Sequence, residues 1–256
     1  MTELYLEGCH AVITGGGTGI GAAIGVRLAA YGACLTLVGR RAEPLEQLAA
    51  RLPGALAITA DVTVESEVEH AFRSARARSG PIAILVNNAG AARSAPIAKT
   101  PLQLWNAMIQ VNLTGAFLCT RAFLSDLDGV RRGRIVNVAS TAALKGYPYV
   151  SAYCAAKHGL VGLTRAVAIE LAHQPITVNA VCPGYTNTPL LDCAVRAIAA
   201  ATGKNEQSAR AELGRANPQG RLLSPESIAA VVVWLCQPEN DSLTGLALPV
   251  AGGEVM

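Results

Sequence analysis

Charged side chains are scarce in this chain. Lys, Arg, Asp and Glu make up 15% of its 256 residues, and the formal net charge is only +3. So small a balance, with no basic run, argues against nucleic acid as a partner. Cysteine pairing is absent as well. The seven cysteines, at positions 9, 34, 119, 154, 182, 193 and 236, show neither disulfide-type nor metal-type spacing. An odd, scattered set fits a reducing cytoplasm and buried small hydrophobes, and it suggests no metal site. A membrane span is not expected. The apolar stretch from Pro101 to Thr120 carries Gln103, Asn106, Gln110 and Asn112, and the stretch from Gln174 to Leu191 contains three prolines. Amides in hydrocarbon are costly. A strand and a glycine loop begin within about a dozen residues of the N-terminus, which leaves no room for a signal peptide. There is also no repeat, low-complexity tract or linker. With 51% hydrophobic residues, the expectation is one α/β domain over 1–256 with a sizeable core.

What is present is alternation. His10 to Thr14 is a short β-rich run feeding Gly15-Gly-Gly-Thr-Gly-Ile-Gly21, after which Ala22 to Tyr31 has helical spacing. Strand, glycine loop and helix form the context of a dinucleotide fingerprint, in which the backbone approaches a pyrophosphate at a helix N-terminus. A second strand, Cys34 to Val38, ends in Gly39-Arg40-Arg41. An acid at this point would accept the ribose hydroxyls of NAD. None stands there, and Arg40 or Arg41 suits a 2′-phosphate. This favours NADP(H), with NAD(H) possible; the bland reading is a solvated arginine pair opening the next helix.

A third strand, Leu56 to Ala60, leads into Asp61 and Val62. Asp61 either caps a turn or accepts a bond from an adenine amino group. Ile82 to Val86 is a wholly apolar strand followed by Asn87-Asn88-Ala89-Gly90; these residues either stabilise a turn or line a cofactor cleft. Pro101 to Leu124 reads as a long helix with Asn112 in its middle, an amide that must find partners. Ile176 to Val181 is a sixth strand, ending in Cys182-Pro183-Gly184. The alanine-rich segment from Pro189 to about Pro218 reads as two helices forming a substrate lid, placed at about 185–218. Ser224 and Pro225 open a further helix, and Leu246 to Val250 is the last strand. The pattern implies a doubly wound parallel sheet.

At the centre lies Ser140-Thr-Ala-Ala-Leu-Lys-Gly-Tyr-Pro-Tyr-Val-Ser-Ala-Tyr153-Cys-Ala-Ala-Lys157. Four residues apart on a helix, Tyr153 and Lys157 share a face. Ser140 ends a buried strand, where ligands bind in open parallel sheets. Tyrosine is a weak acid, with a pKa of roughly 10. A nearby ammonium is expected to lower that value, and the serine can hold a carbonyl or hydroxyl oxygen.

These residues together resemble the short-chain dehydrogenase/reductase family over essentially the whole chain. Thr14 to Gly21 is similar to its TGxxxGIG, Asn87 to Gly90 to its NNAG, and Tyr153 with Lys157 to its YxxxK. Ser140, Asn112 and Pro183-Gly184 match in type and order. The resemblance implies about seven parallel strands, a Rossmann-like fold, and a homotetramer or dimer in which the Asn112 and Tyr153 helices pack across an interface. It also implies catalytic roles. Tyr153 would be general acid in reduction and base in oxidation; Lys157 would lower its pKa and bind the nicotinamide ribose. Ser140 would position the reacting oxygen and Asn112 a proton-relay water. Thr188 would bond the nicotinamide carboxamide, with Gly15, Ile20, Asp61, Val62 and Asn88 along the cofactor. Thr18, Ala89, Gly90, Pro183, Gly184 and Thr186 complete the implied coenzyme contacts. Two departures stand out: Thr18 sits where many NADP-using relatives carry a basic residue, and Ala251 replaces the usual aspartate.

The function expected is an NADP(H)-dependent 3-oxoacyl thioester reductase, acting on acyl carrier protein or coenzyme A substrates. Its rival is an NAD(P)-dependent dehydrogenase of a hydroxyacyl-CoA or a cyclic or aromatic alcohol. A non-catalytic nucleotide sensor or scaffold is disfavoured, because tyrosine and lysine are both kept.

Overall fold

A computed structural model describes residues 4–256. Seven strands form one parallel sheet in the order β3-β2-β1-β4-β5-β6-β7. They are β1 (His10–Thr14), β2 (Cys34–Gly39), β3 (Leu56–Thr59), β4 (Ile82–Asn87), β5 (Gly133–Val138), β6 (Ile176–Pro183) and β7 (Ala247–Val250). The expected Rossmann-like domain is what the chain adopts. β1 pairs with β2 on one side and β4 on the other, so the order reverses there and opens a crevice at the strands' carboxyl ends.

Alternation along each strand feeds two cores. Ala11 and Ile13 face α1 (Gly19–Ala30), α2 (Ala42–Ala49) and α9 (Pro225–Leu235), where they meet Ile24, Leu28, Leu45 and Val232. Val12 points the other way, into a core with Phe72 of α3 (Glu65–Ser79), Phe123 of α5 (Gly115–Leu124) and Ala168 of α6 (Ser151–Glu170). Buried on both faces, the strands read as near-continuous apolar runs.

Between α4 (Leu102–Ile109) and α5 the chain does not stay α-helical. Gln110–Thr114 forms a π-helical turn with Asn112 buried inside it. The run Leu102–Leu124 is long and apolar enough to cross a membrane by length and composition, but half of its apolar window is buried within the fold. Close helix packing accounts for the small residues of α6: Ala152 and Ala156 are buried, and a Cβ on Gly159 would sit 2.8 Å from Leu113.

The 185–218 region contains α7 (Pro189–Thr202) and α8 (Glu206–Arg215), the two helices expected there. Thr188 caps α7, Asn205 caps α8 and Ser224 caps α9 through their side chains.

Candidate active site

A cleft of about 440 Å³ opens at the carboxyl ends of β1, β2 and β4. Gly15, Thr18, Gly19 and Ile20 of the glycine loop line it, as do Arg40, Arg41, Asp61 and Val62. Asn88, Ala89, Gly90, Val111 and Thr188 also line it, Thr188 lying against Gly19. Gly15 takes φ +63°, and a Cβ there would lie 2.8 Å from Asn88 Nδ2; one on Gly21 would lie 2.3 Å from Gly15 O. Only glycine permits this loop. Thr18, the N-cap of α1, makes no side-chain cap bond, so the helix's first amides face the cleft without a capping side chain. Such a terminus suits a phosphate.

Asn88 lines the cleft but its amide has a structural task, donating to Thr14 O at 3.0 Å and Gly15 O at 3.1 Å. Thr14 Oγ1 in turn accepts from the Asn88 and Ala89 amides. That hydroxyl ties β1 to the β4 exit, a role not assigned from the sequence. Asn87 lines no cleft and makes no turn; from inside β4 it donates to Asn137 Oδ1 at 2.8 Å, and Asn137 donates to Thr164 Oγ1 of α6 at 2.8 Å. β4, β5 and α6 are thereby locked together. Asp61 accepts from the Thr63 amide and hydroxyl at 2.9 and 2.8 Å, so it caps a turn, and it also sits 3.8 Å from Arg40 Nη1. Arg41 reaches Thr18 Oγ1 at 3.5 Å. Pro183, Gly184 and Thr186 are not part of the cleft lining. Pro183 closes β6, the Gly184 amide donates to Val250 O at 3.0 Å, and the Thr186 hydroxyl donates to Gly184 O at 2.9 Å.

The four proposed catalytic residues come from separate elements. Ser140 follows β5 in extended backbone and accepts from the Ala142 amide at 3.1 Å. Tyr153 occupies the first turn of α6, with Lys157 one turn on; Lys157 Nζ lies 5.7 Å from the Tyr153 ring centroid and donates to Val138 O at 2.8 Å. Asn112 donates to Ala91 O at 2.9 Å and Met108 O at 3.0 Å, and accepts from the Ala91 amide at 3.3 Å. The π turn directs this amide toward the β4 exit, as such turns do at functional sites. A Cβ on Gly90 would lie 2.8 Å from Asn112 Oδ1 and 3.8 Å from Lys157 Nζ, so only glycine leaves the space between them open.

The phenol expected to be acidic is, on balance, held the other way in this fold. Burial pushes Tyr153 up to about 12, opposed by the Ser140 hydroxyl's hydrogen bond, and burial pushes Lys157 down to about 8. Desolvation dominates both shifts, and the ammonium donates to Val138 O.

A dinucleotide cleft beside a Ser–Tyr–Lys group is the arrangement of a nicotinamide-dependent oxidoreductase on a Rossmann-type sheet. The chain belongs to the short chain dehydrogenase family, whose model matches residues 9–197. It is 37% identical over 255 residues to a D-beta-hydroxybutyrate dehydrogenase of Cupriavidus necator, covering 98% of this chain and 99% of the relative. It is 34% identical over 257 residues to a 3-oxoacyl-(acyl-carrier-protein) reductase of Thermotoga maritima, covering 99% and 100%. Among solved structures, a single-substitution variant of actinorhodin polyketide ketoreductase with NADPH superposes with a TM-score of 0.93 at 34% identity, covering 99% of each chain. The protein is an NAD(P)-dependent oxidoreductase interconverting a ketone and an alcohol.

Sequence reasoning missed the tie made by Thr14, the cleft-lining Val111, Pro189 and Leu190, and Glu254. The last is a buried carboxylate beside Tyr147 and Lys145. No motif announces it.

Proposed function

We propose that this chain is an NADP(H)-dependent reductase of 3-oxoacyl thioesters. The observation that carries the coenzyme choice is the cleft rim, where Arg40 and Arg41 stand with no acid at the end of β2. Guanidinium groups there match a 2′-phosphate. The NADPH named with the actinorhodin ketoreductase supports the same choice. For the substrate, support comes from the name of the Thermotoga relative. The lid's charges support it less, because Lys204 pairs with Glu212 and Arg210 with Asp192. Arg196 remains outside these ion pairs.

The bound nicotinamide supplies or takes the hydride. Proton handling falls to the chain. Tyr153, held protonated by burial, donates its proton to the developing alkoxide, and Ser140 holds the same oxygen. Lys157 stabilises the resulting phenolate and binds the nicotinamide ribose. Asn112 and the open space at Gly90 hold a relay water that resupplies the proton. Thr188, which lines the cleft, bonds the carboxamide. Acid-base catalysis of this kind contributes on the order of 10²–10⁴ in rate. The α7–α8 segment acts as the substrate lid.

The same site run in reverse would oxidise a hydroxyacyl compound, and the Cupriavidus relative's name favours that second reading. Steady-state rates with acetoacetyl-CoA and either coenzyme decide between them: reduction with NADPH well above NADH is expected, and no turnover of any acyl thioester refutes the reductase. Tyr153→Phe should abolish turnover while NADPH still binds. Exposed Leu102, Phe117 and Ile169 on α4, α5 and α6 support a homo-oligomer through these helices, which light scattering of the purified chain checks.

A further inference from the structure

Tyrosine is uncommon here, six in 256 residues, yet four of the six (147, 149, 153 and 185) lie in the Ser140–Tyr153 connection or just after β6. Glu254 meets this cluster from the C-terminal segment. Its side chain is 2% exposed. Oε1 accepts a hydrogen bond from the Tyr147 hydroxyl and lies 3.3 Å from Lys145 Nζ. Oε2 is enclosed and has no partner. Enclosed carboxylate oxygens without a donor are rare, and this one faces Gly184, where a Cβ would come within 2.9 Å of it. Tyr147 Oη also lies 2.7 Å from Thr141 Oγ1. The Tyr147 ring meets Tyr185 edge-on, with centroids 6.4 Å apart at 79°.

The segment so gripped joins the two hydroxyls of the site. It carries Tyr149 at φ +68°, the only non-glycine residue with positive φ among those described, its carbonyl held by the Ala95 amide at 2.7 Å. Backbone held in this region relaxes unless its surroundings impose it. We propose that Glu254 is a positioning residue: through Tyr147 it pins the 141–150 segment against Tyr185 and sets the substrate-side wall beside Ser140 and Tyr153. Glu254 grips the segment between Ser140 and Tyr153 through Tyr147 and bonds to no residue of the coenzyme cleft lining, so it tunes ketone binding rather than coenzyme binding. Burial together with the bond to Glu254 raises the Tyr147 phenol, which keeps that proton in place at working pH.

This inference rests on the ketone-reducing reading, and its test separates the two. Glu254→Ala, Glu254→Gln, Tyr147→Phe and the Glu254→Ala/Tyr147→Phe double variant are compared in three measurements: steady-state reduction of acetoacetyl-CoA and cyclohexane-1,4-dione, NADPH titration by fluorescence, and amide exchange over 144–150. Glu254→Ala should raise KM about tenfold, the size of one charge-assisted hydrogen bond, and speed exchange in the segment by a similar factor. NADPH affinity should stay within about twofold, and Glu254→Gln, which keeps an oxygen acceptor, should recover part of both losses. The double variant should be no worse than the poorer single one. Wild-type exchange and KM in Glu254→Ala, additive losses in the double variant, or NADPH affinity falling as far as KM rises would each overturn the proposal. Exchange needs no turnover: a wild type inert on both ketones refutes the proposed function while the exchange data still decide the clamp.

Discussion

Replacing Lys157 with Met should cost the enzyme its activity and leave the fold as stable or more so. Lys157 is 4% exposed, and burial pulls its pKa from 10.5 to about 8. A shift of that size corresponds to about 3 kcal/mol by which the fold disfavours the charged form. The sign follows from proton binding. Between about pH 8 and 10.5 the unfolded chain holds the proton and the folded one does not, so stability rises with pH across that window. Below it both forms are charged and the full penalty stands. Methionine removes the penalty but also the bond to Val138 O, and an orphaned carbonyl costs about 1–3 kcal/mol. The net at pH 7 is therefore about 0–2 kcal/mol in favour of Lys157→Met, shrinking as pH approaches 10.5. Urea denaturation of both chains from about pH 7 to 10 measures the difference, and kcat should fall by at least about 10². A variant that is less stable at neutral pH by more than about 1 kcal/mol, or by an amount independent of pH, would show that the lysine is not held against a desolvation penalty.

Arg40→Ala should weaken NADPH by roughly 10- to 100-fold, the range of a charge-assisted hydrogen bond, and change NADH little; equal losses would mean that the guanidinium does not read the phosphate. Its ion pair with Asp61 is 71% exposed on the arginine side, so stability should not move measurably. Gly90→Ala should lower kcat by about tenfold, because the methyl lands 2.8 Å from Asn112 Oδ1; a wild-type kcat would remove the relay assigned to that space. His10, buried between Thr36 Oγ1 and Gly80 O, has its pKa lowered chiefly by burial. The unfolded chain therefore takes up a proton first as pH falls below about 6.5, and stability drops there by up to about 1.4 kcal/mol per pH unit. His10→Gln should flatten that part of the curve in thermal melts, and an unchanged slope would place the acid sensitivity elsewhere.

How far this site can be read from the chain depends on the range over which each residue acts. Gly15 to Gly21 and Tyr153 with Lys157 are local devices: a loop that needs glycine at positions such as 15 and 21, and a one-turn helical spacing, each visible in a few consecutive residues. The parallel sheet follows from alternation and apolar runs, which is why a doubly wound arrangement is legible before any geometry. Asn112 shows where local reading stops. An asparagine amid apolar residues announces an amide in need of partners, but not that the helix takes a π turn to aim it. Tyr153 shows a second limit. The spacing places an ammonium near the phenol, while the pKa depends on how much water each group loses, and burial by the rest of the fold is not encoded in a four-residue interval.

Glu254 lies furthest from legibility. Its partners sit 107 and 109 positions away, and a glutamate near a C-terminus ordinarily means a solvated charge. Here the sheet brings the end of β7 beside the end of β6, so residues just beyond both strands converge on the loop after β5. A carboxylate in that corner loses its water and must find donors or pull the segment apart. Tyr147 and Lys145 supply them to one oxygen only. Oε2 is left facing Gly184, so the carboxylate holds the loop through Oε1 alone, and losing the Tyr147 contact releases the segment between Ser140 and Tyr153.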